Sequence, residues 1–106
     1  MIHNAKMFLA QIEAERAERM KKTKEAAIKA AINVARVLAD KGVLHSMKHS
    51  VDAFGEYLGL TVVGPKEVLI SVDIRDEQTL DMLMQMLKTF YPELRGVFDQ
   101  AMRGEQ

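Results

Sequence analysis

The chain has 106 residues, carries 15 basic and 15 acidic side chains, and contains no cysteine. That is about one domain's worth of chain, 48% hydrophobic and 28% charged, a globular rather than disordered composition. Balanced charge leaves no global field to recruit nucleic acid or an anionic membrane, and the missing thiols exclude disulfides, thiol nucleophiles, iron–sulfur ligation and thiolate zinc sites.

Met1 to Lys6 contain no basic region leading into an apolar stretch and a cleavage site. No segment approaches the roughly 20 apolar residues that span a bilayer. The expectation is a cytoplasmic chain with no membrane association.

From Asn4 to Asp40 there is neither Pro nor Gly, and Ala, Glu, Lys, Arg and Met predominate, which predicts one long helix. Glu15–Arg19 and Glu18–Lys22 stand four apart with the acid first, each pair contributing about 0.2–0.5 kcal/mol. Gly42 falls where a left-handed cap would end the helix, next to Lys41. Apolar positions Met20, Ala27, Ala31, Val34 and Leu38, flanked by Ile28, Ile32, Ala35 and Ala39, predict a broad buried face on the C-terminal half. Phe8, Leu9 and Ile12 form a separate cluster, cut off by a charged stretch. A helix this long spans roughly 50 Å, more than a compact domain of this size is wide. Either it breaks, or its first part projects and meets another chain. The second reading is favoured: one domain over residues 1–106, with residues 1–19 a projecting helical arm that self-associates through Phe8, Leu9 and Ile12 into a homodimer.

Leu44, Met47, Val51, Phe54 and Leu58 recur at helical spacing and predict a second helix ending at Gly59. An antiparallel β-hairpin then follows. Leu60 to Val63 lead into Gly64-Pro65-Lys66-Glu67, with Pro65 suited to the second position of a type I or II turn. Val68 to Ile74 lead out, with Val68, Ile70, Val72 and Ile74 on one face and Ser71 and Asp73 on the other, so Ile70 and Val72 are expected to be buried. Asp76 suits the N-cap of a helix running to Phe90 through Leu80, Leu83, Met84 and Leu87. Pro92 opens a last helix with Leu94, Val97, Phe98 and Ala101, and Gly104 closes it. The class is α+β, predominantly helical and completed by dimerisation.

Several constellations invite chemistry. His45, His49, Asp52 and Glu56, on the second helix, share one stripe and form a candidate metal site, weighed against an ordinary solvated face. No glutamate follows the first His as in a metalloprotease helix. A helix-turn-helix around Gly55 and Gly59 fails because Gly64-Pro65 would interrupt its reading helix, costing about 3 kcal/mol or more. Lys21, Lys22, Lys24 and Lys29 are a candidate nucleic-acid patch, but Glu13, Glu15, Glu18 and Glu25 interleave and no aromatic stacks nearby. Met82, Met84 and Met86 put adaptable side chains on several faces of one helix; Met84 reads as core, Met82 and Met86 as a partner-binding surface. No nucleophile elbow or Gly-rich phosphate loop occurs. The sequence therefore points to a non-enzymatic, cofactor-free protein–protein interaction module, an adaptor, inhibitor or regulator. The alternatives are a nucleic-acid-associated protein and a metal-binding protein.

Overall fold

The computed structural model describes residues 2–104, and for residues 2–4 and 20–22 the backbone alone. Helix α1 (Ile2–Asp40) is continuous over 39 residues, or about 58 Å at 1.5 Å per residue. It ends as the sequence predicts. Gly42 adopts φ 73°, its N–H bonds Ala39 O at 3.0 Å, and the Val43 N–H reaches back to Leu38 O at 2.9 Å, satisfying two terminal carbonyls.

The chain then departs from the expected second helix. Residues 44–63 form two antiparallel strands, β1 (Leu44–Asp52) and β2 (Gly55–Val63), and β3 (Leu69–Ile74) pairs with β2 to give a three-stranded sheet in the order β1-β2-β3. The helical spacing of Leu44, Met47 and Val51 has a specific origin. Leu44 pairs with Val62 but Ser46 pairs with Thr61, so His45 is an extra residue, a β-bulge. The bulge puts Leu44 and Met47 on one face three residues apart, and Met47, His49 and Val51 then alternate normally. A bulged strand has imitated a helix.

Asp52 and Gly55 close the β1–β2 hairpin around Ala53 and Phe54. The Asp52 carboxylate accepts from the Phe54 N–H at 2.9 Å, and Gly55 takes φ 111°. A side chain at Gly55 would meet no neighbour within 4 Å, so its cost is conformational. Gly55→Ala is expected to destabilise the fold by about 1–3 kcal/mol, read as a lower urea midpoint at unchanged slope; an unchanged midpoint contradicts this account of the hairpin.

Between β2 and β3, Pro65 occupies the second turn position as expected, followed by Lys66 at φ 60°, and the Glu67 N–H bonds Gly64 O at 3.2 Å. Leu58, Leu60, Val62 and Ile74 are buried on one face of the sheet. Ile70 and Val72, expected to be buried, are half-buried, because the helices cover the Ile74 end of β3 more fully. The other face is polar, with Thr61 Oγ1 and Ser71 Oγ 2.9 Å apart.

Helix α2 (Glu77–Phe90) starts on a capping box: the Asp76 carboxylate accepts from the Thr79 N–H at 2.9 Å, and Thr79 Oγ1 accepts from the Asp76 N–H at 3.1 Å. A tight turn at Pro92–Leu94 leads into α3 (Arg95–Met102). The Tyr91 hydroxyl donates to the Val63 carbonyl, tying the end of α2 to the end of β2. Ala27, Ile28, Ala31, Val34 and Leu38 of α1 pack with Leu83, Leu87 and Phe98 over the sheet's apolar face. The α+β class holds, with three strands in place of a helix and a two-stranded hairpin.

Three aspartates are held below the ordinary carboxylate range. Hydrogen bonds lower Asp52 (from Arg75), Asp76 (from the Thr79 N–H) and Asp99 (from Lys88). Folding depresses these pKa values, so their contribution is complete above about pH 5 and disappears as pH falls through about 4 and below. Asp76→Asn is expected to flatten the acid limb of the stability–pH curve while leaving the slope above pH 6 unchanged; an acid limb identical to the parent's would mean that this cap does not couple to folding.

Candidate interaction surface

Among the described side chains of α1 the first buried one is Ala27, and residues 5–19 are exposed throughout; Met20, expected on the buried face, lies outside the described side chains. The molecule is accordingly elongated, 64 Å in its longest dimension with a radius of gyration of 17.5 Å, against about 13 Å for a compact domain of this length. Phe8 (63% exposed), Leu9 (58%) and Ile12 (41%) lie on this projecting segment, with Met7 beside them. The sequence identified the first three. A single Met adds little to an apolar pattern, so the sequence alone does not single out Met7.

The remaining candidates separate. On α2, Met84 is buried, Met86 is half-buried against the core, and Met82 is exposed. Of the two proposed partner-binding methionines, then, only Met82 offers most of its side chain.

Without the second helix, the four-residue His/acid stripe is not assembled. His45 is the bulge residue. His49 Nε2 lies 2.9 Å from Glu56 Oε2 across the hairpin, both exposed. Asp52 sits on the opposite face and takes a bidentate pair of hydrogen bonds from Arg75, at 3.0 and 2.5 Å. Among the described residues no three His, Asp or Glu side chains are grouped to hold a metal. The strand geometry overturns the metal-site expectation: the bulge takes His45 out of step with His49, the hairpin puts Asp52 on the face opposite Glu56, and only His49 and Glu56 are brought together.

In the basic stretch, the side chains of Lys21 and Lys22 lie outside the described ones. Lys24 and Lys29 are exposed. Lys24 lies close enough to Asp76 to help hold that carboxyl low, so part of its charge already has an internal counterpart. Arg16, Arg19 and Thr23 share a shallow concavity with these two residues.

Two features escaped the sequence reading. Arg75, held by Asp52, lies over the Tyr57 ring at 4.5 Å and the Phe54 ring at 6.0 Å. Beyond the helices, Met47, Val51 and Phe54 are left exposed along β1 and its turn. The clue was Asp52-Ala53-Phe54-Gly55, a turn signal that the apparent helical period obscured. Second, Thr23, Ala26 and Ala30 of α1 and Glu77, Leu80 and Asp81 of α2 line a groove of about 400 Å³, to which Met102 also contributes. That groove depends on helix packing, which no sequence pattern displays.

Among the described residues no helix is long and apolar enough to cross a membrane. No family model, curated protein or solved structure matches the chain.

Proposed function

We propose that this protein is a non-enzymatic protein–protein interaction module of the cytoplasm, an adaptor or regulator, that works as a homodimer joined through its projecting arm. One observation carries the reading: Phe8, Leu9 and Ile12 stand exposed on a continuous helix that cannot fold back to cover them. Large apolar side chains grouped outside any core mark an association surface, and burying each is worth about 1.5–3 kcal/mol before association costs. A two-fold dimer lets one patch serve both chains. Met82 supports a second, separate contact with a different protein.

Light scattering at micromolar concentration tests the reading. The parent chain should measure close to twice its 12.0 kDa monomer mass. The Leu9→Asp/Ile12→Asp variant should shift toward monomer by at least about tenfold in dissociation constant. A monomeric parent overturns the proposal.

A further inference from the structure

Ala5, Leu9, Ile12, Arg16, Arg19, Thr23, Ala26 and Ala30 follow one another along α1 at spacings of four, three, four, three, four, three and four. This is the spacing of a coiled-coil seam. It is distinct from the seam through Ala27, Ala31, Val34 and Leu38 that faces the protein's own core. All its members are exposed except Ala30, which is half-buried. The spacing reads the same in both directions, but the sizes do not: the arm end carries Leu9 and Ile12, and the domain end carries Thr23, Ala26 and Ala30.

We infer that two copies of this chain pair through α1 in antiparallel, with Leu9 and Ile12 of each arm seated on Ala26 and Thr23 of the other copy. The inference rests on the reading of the protein as an arm-joined homodimer. On a continuous helix Leu9 and Ala26 are about 25 Å apart, so no chain can bring its own knobs to its own groove. An antiparallel pair does so twice, in one register, and closes on itself. Leu9 and Ile12 then meet Ala26 and Thr23, large side chains on small ones, and Ala5 meets Ala30 at the outer level, allowing close helix approach.

Charge supports the same occupant. The arm from Ala5 to Ile12 carries Lys6 and no acid. The groove that would receive it is bordered by Glu77 and Asp81. At the centre Arg16 faces Arg19 of the other copy. Their stems can cover the seam while their guanidinium heads reach outward, where Glu15, Glu18 and Asp76 supply opposite charge. A parallel pair would instead set Leu9 on Leu9 and Ala26 on Ala26, so that no large side chain enters either alanine groove.

The absence of native cysteine makes the test direct. Leu9→Cys/Ala26→Cys should form a covalent dimer with a short bis-maleimide. Leu9→Cys and Ala26→Cys alone should not, because like positions lie about 25 Å apart in this arrangement. Both positions lie on exposed helix surface, so folding is preserved. Ala26→Glu, which keeps a strong helix former, should weaken the dimer at least about tenfold. Efficient crosslinking of Leu9→Cys alone would establish a parallel pair and overturn the inference. A dimer by light scattering with no crosslink between positions 9 and 26 would overturn it while leaving self-association standing. A monomeric parent would remove both.

Discussion

Ile74→Asp is expected to leave the chain unfolded at room temperature. Ile74 is fully buried, pairs with Leu58 on the central strand, and ends β3 where the helices cover the sheet most completely. A carboxylate placed there would lie within the apolar core; Arg75, one residue on, is already engaged by Asp52. An uncompensated buried charge costs several kcal/mol, comparable to the about 5–15 kcal/mol that holds a domain together. One residue earlier, Asp73 sits exposed on the opposite face of the same strand, so it is the face and not the strand that forbids the charge. Circular dichroism decides it: a cooperative melt near the parent's temperature would mean that this sheet face is less enclosed than the packing indicates.

Much of the architecture could be read from residue patterns, and what could not has physical causes. The C-terminal half of α1 was legible because its apolar period runs unbroken for several turns. The start of α2 was legible because Asp76 and Thr79 form a local motif that needs no tertiary partner. Strand β1 was not, since the bulge at His45 shifts its apolar residues to helical spacing. Misreading that segment also created the His/acid stripe, which exists only if residues 45–56 are helical. Helix length against domain size is what directs attention to residues 5–19, which are exposed. The groove between α1 and α2 could not be, because its walls come from residues about 50 positions apart and no periodicity couples them. The seam at residues 5–30 occupies an intermediate position: its spacing is in the sequence, but telling it from the core-facing seam beside it requires knowing which face the domain covers.

The same groove connects the second large prediction, Phe98→Ala, to association. Phe98 is the largest fully buried side chain, carried by a helix of only eight residues. So short a helix has no stability of its own in water and persists by docking Phe98 and Ala101 against the core. The 2.6 Å Lys88–Asp99 pair that also ties it down is partly exposed and contributes little. Removing the ring should cost about 3–5 kcal/mol, or roughly 15–30 °C in melting temperature for a domain of this size. Met102, at the end of α3, lines the same groove as Ala26 and Ala30. Loosening α3 should therefore also weaken the dimer at temperatures where the variant is still folded, although every residue of the arm is unchanged. Scanning calorimetry and light scattering on one sample separate the two effects: a melting temperature within a few degrees of the parent's would show that α3 is dispensable to the core, and an unaltered dissociation constant in a strongly destabilised variant would show that the arm seats elsewhere.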